Sequence, residues 1–406
     1  MGRRGRWVHQ MAERVVKKFS GAVRPRQQDI ASFILKDSIF LRACEKYDLH
    51  IKHWPIESAV MRPVEVAAAW QLPPLCTAYE LAVWLGISID ELDWFADRRL
   101  LGRKQYRARL SHYRYRPVSK RFGQVRLIEA PKLRLKAIQR QILTDILDHI
   151  LPHAAAQGFR RGTSICTFAA PHVNRHVVMR LDLCNFFPTI SLAHVQALFR
   201  TVGYPESIAD LLAGLCTHAT PDEIWNDFPA SLTTLRETRP RYSNPHLPQG
   251  APTSPALANL CAYRLDCRLA GLAQAAGAVY TRYADDLAFS GGEGFQPKAK
   301  RFQLQACAIV GEEGFSVHYR KTRIMQRGVR QQLAGVVVNQ HLNVRRNDFD
   351  LLKAILTNCL RFGPESQNRE GHADFRRHLA GRISFVHMVN PAKGNKLNKI
   401  FQQIPW

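Results

Sequence analysis

Apolar residues recur at helical spacing in several long segments of the chain. Between residues 132 and 150 they fall at every third or fourth position, which predicts an amphipathic helix. A second stripe predicts one long helix over 253–276, and another helix is expected over 30–46. A Thr-x-x-Glu capping box opens a short helix at 77–86, and a second short helix follows it.

Other segments have the short apolar or alternating pattern of strands. These are residues 176–183, the stretches on either side of the acidic pair in "TRYADDLAFSG", and residues 331–339. A hairpin is expected around Gly123, where "RLIEAP" follows a basic segment. Strands and helices are interspersed without strict βαβ alternation, which predicts an α+β fold.

The charge of the chain indicates a polyanionic partner. Its 406 residues are 46% apolar, enough for a folded core, and 58 basic against 33 acidic side chains give a formal charge of +25. Fifteen of the basic residues lie within 98–140, interleaved with four aromatic side chains that could stack on bases. This clustering favours nucleic acid over a merely solvated basic surface.

Several other classes of protein are excluded by the sequence. There is no run of about eighteen apolar residues, so no membrane partner is expected. The basic N-terminus lacks the continuous apolar segment of a secretory signal. The nine cysteines form no C-x-x-C pair, which indicates neither a zinc site nor a disulfide framework. A cytoplasmic location is therefore expected.

Three aspartates are candidates for a metal site. Asp285 and Asp286 are adjacent and repel each other, and Asp182 lies near the end of a predicted apolar strand. If the two strands are neighbours in one sheet, the three carboxylates meet. Carboxylate oxygens are the ligands that Mg²⁺ prefers, together with phosphate oxygens and water. Taken singly, a salt bridge for Asp182 and a polar turn for the pair are the alternatives.

The loop "LPQGAPTSPALANL" lies between the two acidic segments. Gly250 allows the backbone to approach a ligand closely, and Ser254-Pro255 is a suitable start for the helix that follows. By itself the segment is equally well explained as an ordinary loop that starts a helix.

In their order along the chain, several motifs resemble those of reverse transcriptases. "RLDLCNFF", "LPQGAPTSPALANL", "RYADDLAFSG", "GFSVHYRKTRIM" and "LAGVVVN" are similar to the palm motifs, and "RLIEAPKLRLKAIQRQIL" and "HAAAQGFRRGTSI" to fingers motifs. Within that superfamily the chain is most similar to bacterial retron-type enzymes. The resemblance covers about residues 78–391.

The resemblance implies a right-hand polymerase with helical and hairpin fingers, an antiparallel-sheet palm that carries the YADD turn, and a short basic helical thumb. The implied boundaries are 1–75 for an extension of unknown role, 76–175 for the fingers with the start of the palm, 176–338 for the palm, and 339–406 for the thumb and RNA-binding region.

It also implies roles for individual residues. Asp182 and Asp285 would bridge two Mg²⁺ ions, for which Mn²⁺ can substitute, and Asp286 would complete the triad less directly. Phe187 would block a ribose 2′-hydroxyl, although a core aromatic is an equal alternative from spacing alone. The remaining implied residues are, for the nucleotide, Arg126, Arg160, Gln249, Gly250 and Lys321, and for primer and template, Tyr283, Gly335 and Arg382. For Lys321 a surface lysine, and for Gly335 a bulge glycine, are the competing interpretations.

Two motifs depart from the usual retron pattern. The expected Asn-Ala-x-x-His reads "FAAPH", with Phe168 in place of Asn, and the expected Val-Thr-Gly reads "LAG". Diversity-generating enzymes usually alter the Ser-Pro pair after the Gln-Gly turn, and they fit less well because Ser254-Pro255 is intact. Group II intron proteins also fit less well, because that class is expected to carry further domains after the thumb.

The function implied is that of an RNA-directed DNA polymerase of a retron. It would use deoxynucleoside triphosphates to copy part of a cognate structured noncoding RNA into a branched RNA–DNA (msDNA), in anti-phage defence. An effector or toxin protein and a host RNase H are the further partners expected. The alternatives are another phage-defence or group II-like enzyme with untemplated or different priming, and a non-catalytic RNA-binding scaffold.

Overall fold

The structure of the protein is a computed structural model that describes residues 6–19, 27–47, 59–104, 106–119, 125–226 and 239–406. The chain divides into two compact units, Met1–Ser58 and Ala59–Trp406. Helices combine with antiparallel strands in the larger unit, which confirms the predicted α+β class. No helix in the described ranges has both the length and the apolar character needed to cross a membrane.

The residues described in the smaller unit form the helices α1 (Arg6–Phe19), α2 (Gln27–Lys36) and α3 (Ser38–Lys46). The single helix expected over 30–46 is thus two helices. Asp37 separates them because its carboxylate accepts a hydrogen bond from the Ile39 amide, 2.8 Å away, and so caps α3. The same carboxylate is buried and lies 3.1 Å from Arg14 of α1.

The larger unit begins with short helices and a two-stranded sheet. The capping-box prediction at Thr77 is confirmed, a second box is present at Ser88, and Gly86 ends the first helix with a φ of +65°. The hairpin strands pair as expected, while their connection at Gly123 lies outside the described residues. The elements are α4 (Ala78–Leu85), α5 (Ile89–Ala96), α6 (Leu101–Lys104), β1 (Tyr113–Ser119), β2 (Val125–Pro131), α7 (Leu133–Asp145) and α8 (Ile165–Ala169).

A four-stranded antiparallel sheet forms the centre of this unit. Its strands are β3 (Val177–Asp182), β4 (Ala278–Tyr283), β5 (Asp286–Gly291) and β6 (Arg323–Gln326), in the order β4-β5-β3-β6. Side chains of β3 alternate between the two faces, so that Met179 and Leu181 join one apolar core and Val178 joins a second. The sheet is therefore covered on both sides.

Further helices contribute apolar residues to the first core. They are α9 (Phe186–Thr189), α10 (Leu192–Val202), α11 (Glu206–Cys216), α12 (Ser254–Cys261), α13 (Tyr263–Ala275) and α14 (Ala299–Glu312). The long helix expected over 253–276 is interrupted at Ala262, where ψ is 6°. Asp266, in the first turn of α13, is fully buried.

The segment expected to be one strand at 331–339 is instead a tight hairpin of β7 (Gln332–Leu333) and β8 (Val336–Val337). Its two central residues, Ala334 and Gly335, have φ values of 44° and 88°. Two positive values in succession are the signature of a hairpin turn whose twist matches its strands. Gly335 is thus a turn glycine and not a bulge.

The C-terminal region consists of the helices α15 (Arg346–Phe362), α16 (Phe375–Val389) and α17 (Pro391–Phe401). Asn390 caps α17 by accepting a hydrogen bond from the Lys393 amide, and Pro391 occupies the first turn. Apolar residues of all three helices form the second core together with Val178 and Ala288 of the sheet. This packing joins the basic C-terminal helices to the back of the sheet.

Candidate active site

Strand pairing brings the predicted carboxylates together. β3 and β5 are antiparallel neighbours, and their register sets Asp182 opposite Asp286. The amide of Leu183 then donates a hydrogen bond to the carbonyl of Asp285, 2.8 Å away. Because Asp182 ends one strand and Asp285 directly precedes the other, their side chains are placed at the same edge of the sheet.

The turn between β4 and β5 has an unusual backbone. Ala284 has a φ of +56°, in the left-handed region that a residue with a Cβ occupies only at a cost. Gly158 packs directly behind this turn, and a Cβ on it would lie 2.8 Å from the Ala284 nitrogen. A side chain at 158 would therefore push the acidic turn out of place.

A cavity of about 780 Å³ opens beside the two carboxylates. Seven of the residues selected from the sequence line it, and they come from five separate segments of the chain. They are Arg126, Asp182, Phe187, Gln249, Gly250, Asp285 and Lys321. The volume is that of a small-ligand site.

Two basic side chains contact the acidic residues. The Nζ of Lys321 lies 2.9 Å from Oδ1 of Asp182. Arg180 lies 2.6 Å from Oδ1 of Asp286 and 3.8 Å from Oδ2 of Asp182. Asp286 is thus held by Arg180 outside the lining of the cavity, whereas Asp182 and Asp285 line it.

The carboxylates are closely spaced and largely removed from water. Burial, and then the charge of Asp182, raises the pKa of Asp285. Burial raises the pKa of Asp286 to about 6, in spite of Arg180 and with a further contribution from Asp285. Burial, together with the neighbouring carboxylates, thus disfavours the charged form of each side chain, and an added cation would stabilise that form.

A divalent metal fits the pair formed by Asp182 and Asp285. Both present hard oxygen donors to one cavity, and their mutual repulsion favours a bound cation. Across the ranges that the structure describes, no cluster of three or more His, Cys, Asp or Glu side chains is arranged to hold a metal ion. The remaining ligands would therefore be substrate phosphates and water, which is usual for Mg²⁺.

The adjacent residues Phe186 and Phe187 point to different environments. Both side chains line the cavity, but Phe186 is buried in the core while Phe187 is partly exposed. The ring of Phe159 also lines the cavity, with its centroid 6.0 Å from that of Phe187. Of the two phenylalanines in the motif, Phe187 presents more of its side chain to a ligand.

Gly250 is required by the close approach of two segments. Its φ is +139°, and a Cβ on it would lie 2.9 Å from the carbonyl oxygen of Glu129 in β2. The Glu129 amide donates to the carbonyl of Gln249 over 2.8 Å. The loop that carries Gln249 and Gly250 is thereby fixed against the strand that carries Arg126.

Other predicted residues lie elsewhere. Arg160 is half-buried, and the neighbouring Arg161 pairs with Asp148 at 2.7 Å. The ring of Tyr283 packs 5.7 Å from that of Phe168. Gly335 lies in the β7–β8 turn, and Arg382 is partly exposed on α16.

Sequence reasoning missed Arg180 and Phe159. Arg180 precedes Asp182 by two residues in a strand and therefore shares its face, a signal that the period of two supplies. Phe159 has a φ of +58°, which nothing in the sequence announces.

Comparison with known proteins agrees with this architecture. The family described as "Reverse transcriptase (RNA-dependent DNA polymerase)" matches residues 118–338. The chain is 40% identical over 330 residues to the Retron Mx65 reverse transcriptase of Myxococcus xanthus, covering 81% of this chain and 72% of that protein. It is 38% identical over 344 residues to the Retron Mx162 reverse transcriptase of the same organism, covering 81% and 67%.

A solved foamy viral protease-reverse transcriptase in complex with double-stranded DNA is a more distant match. It is 13% identical, with a TM-score of 0.35 and coverage of 72% of this chain and 43% of that one. A similarity this weak supports no statement on the fold or the site. From the family match and the two bacterial relatives, the chain belongs to the retron-type reverse transcriptases and is an RNA-directed DNA polymerase.

Proposed function

We propose that this protein is the polymerase of a retron and copies part of a cognate structured noncoding RNA into DNA. The observation that carries the proposal is the convergence of Asp182 and Asp285 on one cavity that Arg126, Phe187 and Lys321 also line. The reaction would be attack of a primer hydroxyl on a deoxynucleoside triphosphate, with release of pyrophosphate. In a retron the first hydroxyl is the 2′-hydroxyl of a guanosine in the RNA, so the product is a branched RNA–DNA.

Asp182 and Asp285 would hold two Mg²⁺ ions, for which Mn²⁺ can substitute. When bound, the metal lowers the pKa of the attacking hydroxyl and stabilises charge on the leaving pyrophosphate. Asp286 would contribute less directly, through its ion pair with Arg180 on the strand that ends at Asp182. Of the two adjacent carboxylates, Asp285 would thus bind metal in the cavity, and Asp286 would stabilise the strand that ends at Asp182.

The basic residues of the cavity would bind the triphosphate. Arg126 presents a planar guanidinium, which suits bidentate contacts with phosphate. Lys321 contacts Asp182 and lines the same cavity, and it would bind the leaving pyrophosphate. Arg160 lies two residues beyond Gly158 and is proposed as a second phosphate ligand.

The other side of the cavity would select and seat the nucleotide. The ring of Phe187 would exclude a ribose 2′-hydroxyl, while Gln249 and Gly250 would form the wall against the base pair. Tyr283, Gly335 and Arg382 are proposed to contact primer and template. The basic C-terminal helices would grip the duplex and the structured RNA.

The expected biological setting is anti-phage defence in the cytoplasm. The noncoding RNA and its DNA product would be the principal partners, with an effector or toxin protein and a host RNase H that removes template RNA. These assignments rest on the similarity to retron enzymes and on the net charge of +25.

The nucleic acid that copurifies with the protein tests this proposal. Expression with its native flanking DNA should give a complex from which one structured RNA is recovered, joined to DNA through a 2′–5′ linkage. Sequencing the RNA and DNA, before and after treatment with a debranching enzyme, identifies both strands and the branch.

The Asp285→Asn variant is the matched control for that experiment. It should retain the RNA and contain no DNA, because the RNA-binding surfaces are untouched. DNA without a branch would contradict the retron assignment and favour a differently primed enzyme. Unselective RNA would contradict a cognate partner.

Replacing Phe187 with alanine should allow the enzyme to use ribonucleotides. Loss of one steric contact in a pocket is worth about 1–3 kcal/mol, so discrimination against a ribonucleotide should fall roughly 10–200-fold. The measurement is the ratio of kcat/KM for a deoxynucleotide to that for the matching ribonucleotide.

Phe159→Ala is the control for this substitution. Its ring lines the same cavity and lies 6.0 Å from that of Phe187, but it is not proposed to face the sugar. Unchanged discrimination in Phe187→Ala would exclude the steric role, and equal losses in both variants would assign the effect to general packing.

A further inference from the structure

A buried ion pair lies directly behind the acidic turn. Arg282 in β4 and Asp266 in α13 are both fully buried. The contact is bidentate, with Nε of Arg282 2.8 Å from Oδ1 and Nη2 2.6 Å from Oδ2 of Asp266. Tyr280 also donates its hydroxyl proton to Oδ1, over 2.7 Å. Asp266 therefore fixes the guanidinium plane and leaves one nitrogen for other partners.

The remaining nitrogen of Arg282 faces the acidic turn. Its Nη1 donates to the carbonyl of Ala284 at 3.3 Å and to Oδ1 of Asn259 in α12 at 3.0 Å. Asn259 in turn donates through Nδ2 to the carbonyl of Gly158 at 2.8 Å. One side chain thus connects the acidic turn, the helix after the Gln249–Gly250 loop, and the fingers segment that packs behind the turn.

The backbone of Arg282 makes a second connection to the same fingers segment. Its amide donates to the carbonyl of Ala155, and its carbonyl accepts from the amide of Gln157, each over 2.7 Å. The guanidinium also lies over the ring of Phe186, 5.6 Å from its centroid. Phe186 precedes Phe187, and both line the cavity. The network therefore connects these phenylalanines with the acidic turn, which also lines it.

The geometry of the turn needs such a restraint. Ala284 is in the left-handed region, where an alanine does not stay unless its surroundings hold it. Gly158 blocks movement of the turn on one side, and the bond from Arg282 to the Ala284 carbonyl holds it on the other. Asp285, the next residue, takes its position from this backbone.

We propose that Arg282 is a positioning residue for polymerisation, which sets the Ala284–Asp285 turn relative to Phe186 and the fingers. This inference rests on the proposed function of Asp285. A pair present only for stability has no need of a third nitrogen directed at the turn, and a buried pair adds little stability over apolar side chains. The network instead acts on the placement of a carboxylate, where an error of about 1 Å can cost roughly 10²-fold in rate.

The Arg282→Lys variant tests the proposal. Lysine keeps the charge that compensates Asp266 but cannot form the bidentate contact and also reach Ala284 and Asn259. We expect kcat for single-nucleotide addition to fall about 10²-fold, while KM for the deoxynucleotide stays within about threefold. Each variant is assayed well below its own Tm, with binding of an RNA–DNA duplex measured in parallel.

Tyr280→Phe is the matched control because it removes a bond to Asp266 from the same network without touching the turn. It should lower Tm but leave kcat within about twofold of the parent. The proposal is overturned if Arg282→Lys keeps kcat, or if both variants lose kcat in proportion to Tm.

Two further variants keep the test decisive. If Arg282→Lys does not fold, Asn259→Ser takes its place, because it preserves the ion pair and removes the hydrogen bonds of Asn259 to Arg282 and Gly158. This variant should lower kcat about tenfold, and an unchanged kcat refutes the proposal. Asp285→Asn separates this inference from the site itself. Activity in Asp285→Asn refutes the proposed site, whereas an inactive Asp285→Asn beside a fully active Arg282→Lys refutes only the role of Arg282.

Discussion

Replacing Asp285 with asparagine should abolish Mg²⁺-dependent DNA synthesis. The substitution keeps the shape of the side chain but removes one of the two carboxylates that line the cavity. Metal stabilisation of charge in the transition state is worth several kcal/mol, so the rate of nucleotide addition should fall by at least about 10³-fold. The measurement is extension of a DNA primer on an RNA template, with rates followed in single-turnover conditions.

Asp286→Asn gives the contrast that identifies the cause. Asp286 contacts Arg180 at 2.6 Å and lies outside the cavity lining, so its loss should reduce the rate less than loss of Asp285. The double variant should be as inactive as Asp285→Asn. Metal affinity of each protein, measured by calorimetry without nucleotide, separates a missing ligand from a misplaced one. Unchanged synthesis in Asp285→Asn would exclude the metal site at this position.

Strand patterns and acidic positions were enough to predict the centre of this site. The apolar segment that ends at Asp182 and the two stretches around the acidic pair each have a period that identifies strands. Once these strands are neighbours, antiparallel pairing allows few registers, and the observed one sets Asp182 opposite Asp286. The meeting of the carboxylates was therefore predictable from local sequence and a single assumption about neighbours.

The contacts that surround the carboxylates could not be predicted in the same way. Arg282 lies in β4 and Asp266 in α13, so no strand or helix period relates the two residues. Their contact depends on the break at Ala262, after which α13 begins. The break at Asp37 follows from the local cap that its carboxylate makes on the Ile39 amide, whereas the apolar stripe of 253–276 continues through the break at Ala262. The role of Gly335 was equally ambiguous in the sequence, because only the φ values of Ala334 and Gly335 distinguish a hairpin turn from a bulge.

Arginines were the hardest residues to assign from the sequence. Arg126 lines the cavity, Arg161 pairs with Asp148, and Arg180 contacts two of the aspartates. Arg126 and Arg161 have no local feature that separates their roles, whereas Arg180 shares a face of β3 with Asp182. The direction of a long side chain depends on the acidic partners that folding brings within reach, and most of those partners are distant in sequence.

Breaking the buried ion pair formed by Glu129 and His246 should lower the stability of the fold. Both side chains are almost fully buried, and Nε2 of His246 lies 2.8 Å from Oε2 of Glu129. Removing one partner of a buried pair costs about 3–5 kcal/mol in the free energy of unfolding. Glu129→Gln should therefore lower the stability of the protein by this order in chemical denaturation near pH 6.

Thr220→Val is the control for the loss of a single hydrogen bond. The hydroxyl of Thr220 donates to the other oxygen of Glu129, 2.6 Å away, and the substitution leaves the ion pair in place. It should cost about 1–3 kcal/mol, the penalty of an unmade bond to a charged group. Equal losses in Glu129→Gln and Thr220→Val would show that charge contributes little.

The dependence of stability on pH identifies the charged state of the pair. Burial opposes both charges, yet His246 lowers the pKa of Glu129 from 4.5, and Glu129 raises the pKa of His246 from 6.5. The contribution of Glu129 is complete above pH 4.5 and is lost as pH falls through its folded pKa. The contribution of His246 is complete below pH 6.5 and is lost as pH rises through its folded pKa.

The stability gap between the parent protein and Glu129→Gln should thus be widest between pH 4.5 and 6.5 and shrink on both sides. His218, which is bonded to Tyr115 and has a pKa lowered by burial to about 3, stays neutral across this window in both proteins. The Glu129 amide also holds the Gln249–Gly250 loop, and this backbone contact is retained in Glu129→Gln. A gap that stays constant from about pH 5 to 9 would mean that the pair is neutral and that hydrogen bonding alone joins the loop to β2.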